Sequence, residues 1–301
     1  MKKIINKIFM FLTAKEYRFY ILNKFGLYNN LSDEEFLQKM YFSRYGKFID
    51  FNSLKTFNEK LQWLKLYDHN PRYIDMVDKV NVKSIVADII GEKYIIPTLK
   101  VYDSAAQIDF SELPVQCVLK CNHDSGSVFF VDENTDKEKI RRKLSKSLKK
   151  NYFWHDREWP YYEITPKILV EEYLGELKNH NINDYKVFTF GGKAEYIQVD
   201  YDRFINHRRN FYNLEWEYVP FTTRYPTDSK HIIKKPECLR EMIEAAEKIA
   251  DYLNNPKFLR VDFYVIDDKL LFGETTFYHG GGMEVFMPAE YDIKLGELIK
   301  L

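Results

Sequence analysis

The residues of this chain best equipped for chemistry lie between Phe258 and Glu284. Leu259, Val261, Phe263 and Val265 alternate there with Arg260, Asp262 and Tyr264, the period of a strand with two unlike faces. Asp267-Asp268 is turn-forming, and Leu270 to Phe272 begins a return strand. The predicted hairpin carries Asp262 on one strand and Glu274 at the end of the other. Arg260, two residues from Asp262, shares its face. Two acids and an arginine converging from one hairpin suit a hard divalent cation that bridges phosphate oxygens. The same residues also make an ordinary solvated strand face with an ion pair. Spacing alone leaves both readings open.

Cations to meet such phosphates stand earlier in the chain. Val115 to Cys121 and Ser127 to Val131 read as strands joined by Asn122-His123-Asp124-Ser125-Gly126. Such a loop is either a phosphate cover, with N–H groups aimed at oxygens and Lys120 neutralising charge, or a plain hairpin turn. It is not a P-loop, because no Gly-Lys-Ser/Thr opens a helix after it. Lys167 to Leu174 is a buried strand holding Glu171 and Glu172. Asp184 to Phe190 and Lys193 to Val199 form a hairpin about Gly191-Gly192.

Helices must position these strands. Ser32 opens one with an acidic first turn. Thr56 to Tyr67 is a second, and Tyr73 to Ile90 a third that stops at Gly91. Thr135 to Lys150 is basic. Its stripe of Ile140, Leu144 and Leu148 makes the lysines a solvated outer face, or a surface for an anionic glycan or lipid. Glu237 to Leu253 is amphipathic and leads into the opening hairpin. The first third is helical, and the remainder predicts an α+β enzyme with antiparallel sheets around a cleft.

With 301 residues and no net charge, the chain can bury a large core but has no basic field for nucleic acid. Aromatic content of 17% argues against disorder. Cys117, Cys121 and Cys238 are odd in number. Cys117 and Cys121 would lie about 13 Å apart along a strand, too far for a bridge. The N-terminus has apolar residues at 4, 5, 8, 9 and 12 and lysines at 2, 3 and 7. It reads as an amphipathic helix that docks on the protein body or touches a membrane surface. The expected setting is cytoplasmic, or peripheral at the inner membrane face.

In this order the pieces resemble the ATP-grasp superfamily and, more narrowly, the teichuronopeptide-biosynthesis (TupA-like) ATP-grasp family. The matching segments are Thr56 to Asp68, Asp78-Lys79, Gly91 to Pro97, Val118 to His123 with Ser125-Gly126, Val170 to Leu174, Asp184 to Lys186, Arg260 to Tyr264, and Gly273 to Phe277. The resemblance implies an α+β ATP-grasp fold in which two antiparallel-sheet lobes clamp ATP. It divides the chain into a helical N-terminal region with a pre-grasp segment at 1–98, a small lobe at 99–170, and a large lobe with the metal site at 171–301. Lys79 and Lys120 would hold the ATP phosphates beneath a loop containing Ser125 and Gly126. Glu171 would accept from the adenine amino group, and the backbone of Glu172, Tyr173 and Leu174 would meet the adenine edge. Asp184 would lie near the ribose, with Lys186 beside it. Asp262 and Glu274 would bind Mg2+, and Arg260 would steady charge on the transferring phosphoryl. His123, Arg203, Arg208 and Arg209 are candidates for phosphate or substrate-carboxylate contacts. His279 and Gly280-Gly281-Gly282 resemble a flexible substrate-side loop. Many relatives carry Asn two residues after the metal Glu; Thr276 stands there, so its hydroxyl or a water would complete the shell.

The implied reaction is ATP-dependent ligation of a carboxylate to an amine through an acylphosphate. The implied substrates are an amino acid or uronic acid, with glycan- or lipid-linked partners, in cell-surface polysaccharide biosynthesis. A kinase-like transfer to a sugar hydroxyl would use the same ATP site, and two further rivals stand beside it. Asp200-Tyr201-Asp202 is an Asp-x-Asp arrangement of the kind that serves nucleotide-sugar glycosyltransferases. A non-catalytic nucleotide-binding scaffold is the other, though it has no need of paired metal acids. If Asp262 is a metal ligand in a polar cleft, Asp262→Asn is expected to leave stability nearly unchanged.

Overall fold

The computed structural model describes residues 2–174, 182–203 and 205–301. The helical first third is present as α1 (Lys2–Thr13), α2 (Lys15–Lys24), α3 (Asp33–Tyr45), α4 (Phe57–Tyr67), α5 (Arg72–Val77) and α6 (Asn81–Ile90). α3 and α4 open on reciprocal caps. Ser32 accepts from the Glu35 N–H while Glu35 accepts from the Ser32 N–H, and Thr56 and Glu59 repeat the exchange.

Sequence periodicity predicts one helix from Tyr73 to Ile90, but the chain breaks between α5 and α6. The Asp78 carboxylate accepts from the Val80 N–H at 2.8 Å and from the Asn122 side chain at 2.9 Å. Asp78 thereby ends one helix, starts the next and ties both to a strand end forty-four residues on. At α1 the structure departs from docking on the body: Ile8, Phe9, Met10 and Leu12 are exposed. No helix among the described residues is long and apolar enough to cross a membrane.

Among the described residues the strands form two antiparallel sheets, as expected. The first orders β1 (Thr98–Tyr102), β4 (Ile168–Glu172), β2 (Cys117–Cys121) and β3 (Val128–Val131) side by side. α7 (Lys137–Leu148) buries Ile140 and Leu144 against Cys117, Leu119, Ile168 and Val170. Its lysines face outward, the outer-face reading of that helix. A short helix, α8 (Phe153–Asp156), follows.

The second sheet runs β10 (Lys269–Thr276), β9 (Leu259–Ile266), β5 (Asp184–Phe190), β6 (Lys193–Tyr201), β7 (Arg208–Tyr212) and β8 (Tyr218–Val219). α9 (Leu239–Tyr252) presses Met242, Ala246 and Ile249 onto it within the main core. The three cysteines are buried and free.

α10 (Glu290–Leu298) closes the chain against the start of α4. Gly296 makes that crossing possible. A Cβ there would lie 2.3 Å from the Lys55 carbonyl oxygen and 2.7 Å from the Phe57 nitrogen, both backbone atoms. Backbone cannot swing aside as a side chain can. Gly296→Ala should therefore destabilise the fold by at least about 1–3 kcal/mol, read as a lower urea midpoint with unchanged slope.

Candidate functional site

A cleft of about 390 Å3 opens between the two sheets. From the first sheet come Val118, Lys120, Phe130, Glu171 and Glu172, with Ser125 and Gly126 from the β2–β3 loop. From the second come Asp184, Lys186, Asp262, Tyr264 and Glu274. Lys79, Lys83 and Arg203 complete its cationic lining.

The register of the second sheet explains the convergence. Lys186 pairs with Asp262 across β5 and β9, and Glu274 pairs with Asp262 across β9 and β10. Asp184 pairs with Asp200, and Asp200 with Arg209. Residues two apart on a strand share a face, so one face collects them all. A register shift between Phe272 and Glu274 puts Glu274 opposite Asp262.

These charges neutralise one another. Arg260 holds Asp262 in two bonds, 2.6 Å from Nε to Oδ1 and 2.8 Å from Nη2 to Oδ2. Lys186 bridges Asp262 and Asp184, and Arg203 donates to Asp184 at 2.7 Å. Burial opposes the Asp262 charge, yet Arg260 and Lys186 hold its carboxyl below the usual aspartate range. Arg260 Nη1 donates to His279 Nδ1 at 2.8 Å, leaving His279 Nε2–H to donate to Glu284 at 3.1 Å. Burial holds the His279 imidazole neutral. Arg209 continues the chain, bonded to Glu284 at 2.8 Å and to both oxygens of Asp200.

On the first sheet, Glu171 is buried with one oxygen on Lys83 at 2.6 Å and the other on Lys120. Burial favours the neutral acid, but the two lysines win and hold its carboxyl low. Glu171 thus faces the cleft as the brace of two cations. Lys83 is missing from the candidates read in the sequence, although it stands four residues after Lys79, in the first turn of α6. Lys79 reaches over the loop, donating to the Asp124 carbonyl at 2.6 Å and standing 3.9 Å from Glu274.

Other expectations need correction. His123 is buried away from the cleft, with Nε2 3.2 and 3.1 Å from the Ser147 and Lys150 carbonyls. It fastens the β2 end to the end of α7. Tyr173 packs its ring edge-on to Phe130, while Glu172 and Leu174 line the cleft. Arg208 turns to Asp228. The glycine loop is pinned rather than flexible. Gln62 and Lys65 donate to the carbonyls of Gly281 and Gly282, and a Cβ on Gly282 would meet the Gln62 amide at 2.2 Å. Asp200 is buried and spent on Arg209, so the Asp-x-Asp arrangement presents no free pair of acids.

A second cavity, about 800 Å3, shares Ser125, Lys186, Arg203 and Glu274 with the cleft. Arg260, Thr276 and His279 line it, as do Tyr152, Glu158 and Arg224, which sequence reasoning passed over. Thr276 Oγ accepts from Arg260 Nη2 at 3.1 Å.

Among the described residues no ready cluster of three His, Cys, Asp or Glu side chains could hold a metal. The donors nonetheless suit magnesium in kind. Glu274 is only loosely paired, Asp184 Oδ1 is buried without a hydrogen bond, and Asp262 Oδ1, bonded only by Arg260 Nε, keeps a lone pair.

The description "TupA-like ATPgrasp" belongs to a family model that matches residues 59–300. No curated protein matches significantly. Among solved structures, D-alanine–D-alanine ligase from Bacillus anthracis with ATP is 18% identical with a TM-score of 0.40, covering 67% of this chain and 53% of that one. D-alanine–D-alanine ligase from Helicobacter pylori gives 16% and 0.45, covering 80% and 66%. L-amino acid ligase from Bacillus licheniformis gives 11% and 0.47, covering 79% and 51%. The chain therefore spans between 51% and 66% of the length of these structures.

The pairing of Asp262 overturns the expectation that its removal is cheap. Asp262→Asn leaves Arg260 and Lys186 buried with less than their counter-charge, at a cost of about 3–5 kcal/mol at neutral pH. Glu274→Gln, partly exposed and loosely paired, should cost less than about 0.5 kcal/mol. A lowered folded pKa stabilises above the unfolded value, about 3.9, and the stabilisation vanishes as pH falls through the folded value. The gap between wild type and Asp262→Asn in urea melts should accordingly close below about pH 4.

Proposed function

The chain belongs to the TupA-like ATP-grasp family, and from that premise we propose that it is an ATP- and magnesium-dependent carboxylate–amine ligase. We further propose that it joins an amino acid or uronic acid through an amide bond in building a cell-surface polysaccharide. The observation that supports this reading best is the inter-sheet cleft. Lys79, Lys83, Lys120 and Lys186 converge there on one side of a hairpin carrying Asp262 and Glu274.

In this reading the nucleotide lies between the sheets. Lys79, Lys120 and Lys186 offset the phosphate charge, and Ser125 and Gly126 belong to the loop above it. Glu171 keeps Lys83 and Lys120 in place, and Glu172 to Leu174 meet the base. Asp262 and Glu274 would hold magnesium, with Asp184 or Thr276 nearby; when bound, the ion supplies charge neutralisation at the phosphates. The substrate carboxylate attacks the γ-phosphorus where the cleft and the second cavity meet. Arg260 stands at that junction to stabilise charge on the transferring group and then on the tetrahedral intermediate. An amine attacks the acylphosphate carbonyl and phosphate leaves. Such chemistry asks for positioning, cations and exclusion of water rather than a protein nucleophile.

A thermal-shift titration tests the reading. ATP or ADP with magnesium, at about a hundredfold its dissociation constant, should add about 2.7 kcal/mol to apparent stability. Lys120→Ala should weaken nucleotide binding about tenfold or more. Glu274→Gln should lose the increment that depends on magnesium. A shift with UDP-sugars and none with ATP would instead favour a glycosyltransferase.

A further inference from the structure

Glu158 is an acid that the proposed reaction has not used. It lies just beyond α8, is 8% exposed, and lines the second cavity together with Arg260 and Glu274. Its neighbouring acid Asp156 is matched by His155 at 3.0 Å. The Glu158 carboxylate has no hydrogen bond or ion pair among the described residues. Lys65 is the cation with the strongest electrostatic pull on it, but the Lys65 ammonium is spent on the Asp156 and Gly281 carbonyls. A buried acid without a partner is costly unless a ligand supplies the missing donor or the acid stays protonated.

From this placement we propose that Glu158 receives the amine substrate, holding it as an ammonium ion in the second cavity and taking its proton before attack. The assignment rests on the ligase reading above and deepens it: the acceptor is a primary amine that arrives charged. Tyr152, Tyr161 and Tyr278 line the same cavity, and aromatic rings favour a cation over water alone. The charged groups acting most strongly on Glu158 are Lys65 from α4, Asp156 and His155 from α8, and Arg260 from β9, and the hydroxyls of Tyr152, Tyr161 and Tyr278 couple to it as well. Burial, reinforced by Asp156, prevails over Lys65, His155 and Arg260 and pushes the Glu158 carboxyl up to about 7, a value suited to exchanging a proton near neutrality.

The step balances. The ammonium N–H bond breaks, its proton passes to Glu158, and the neutral amine forms a C–N bond to the acylphosphate carbonyl. The C–O bond to phosphate then breaks. The second N–H proton leaves with the phosphate, giving the amide and hydrogen phosphate.

Hydroxylamine separates this role from the rest of catalysis, because it is largely uncharged at neutral pH, whereas alkyl amines near pKa 10.4 are not. The full chain would be incubated with magnesium and ATP, with a panel of α-amino acids, glucuronate and galacturonate as acids. Hydroxamate would be read with hydroxylamine, and amide with ammonia, ethanolamine, glucosamine or amino acids. In Glu158→Gln the ratio of amide to hydroxamate should fall at least tenfold, within reach of the loss expected for a general base, about 10²–10⁴. Glu158→Asp, which keeps a carboxylate, should recover part of it and also serves if the glutamine variant fails to fold. An unchanged ratio in a folded Glu158→Gln, or loss of hydroxamate in equal proportion, overturns the assignment. No hydroxamate from wild type with any acid brings down the ligase reading itself, and this assignment with it.

Discussion

A charge is buried cheaply in a sheet only beside an opposite charge, and one face of the six-stranded sheet follows that rule in a chain of donors and acceptors, with the neutral His279 relaying between Arg260 and Glu284. Arg203, Asp184, Lys186, Asp262, Arg260, His279, Glu284, Arg209 and Asp200 follow one another as donor and acceptor across four strands and the turns beside them. Each member fixes the rotamer of the next. Such a chain need not add net stability over an apolar replacement, but removal of any one link strands its neighbours. Its physical effect is positional: it sets a row of charges at defined depths where the cleft and the second cavity meet.

The first sheet brings its own neutralised set, Lys83 and Lys120 around Glu171. Lys79 leans across from the α5–α6 break toward Glu274. These lysines spend their charge on carboxylates. On the proposed reading, an entering triphosphate would compete with Glu171, Asp184 and Asp262 for these lysines. Binding would then be an exchange of ion partners in a low-dielectric cleft, not the gain of bonds from nothing. That exchange would also let a chain of zero net charge accommodate a strongly anionic ligand.

Much of this was legible in the order of residues. The β9–β10 hairpin announces itself by alternation, and the Arg260–Asp262 pair follows from a period of two. Helix starts at Ser32 and Thr56 are visible because their capping partners lie three residues away. What failed to show depends on distant contacts. The break at Asp78 needs Asn122, and the burial of His123 needs the end of α7. The Gly280 to Gly282 run looks mobile until Gln62 and Lys65 reach its carbonyls from another helix. Glu158 carries no local signal at all, since its cavity is assembled from segments spread from α2 to β10 and beyond.

The two cavities divide along the chain in an informative way. Every residue lining the smaller cleft falls between Lys79 and Glu274, inside the span that the family model covers. The larger cavity also draws on Glu16, Phe19, Tyr20, Asn23, Met40, Ser43 and Arg44, all ahead of that span. Asn23 is fastened to the α8 end through the Trp154 and His155 carbonyls, so α2 is held against the segment that presents Glu158. The geometry thus joins a cleft built within the span that the family model matches to a cavity walled in part by N-terminal helices ahead of it. On the proposed ligase reading, selectivity for one amine over another would require contacts that differ between substrates. The wall formed by α2 and α3 is where such contacts can vary without disturbing the alternating charges beneath.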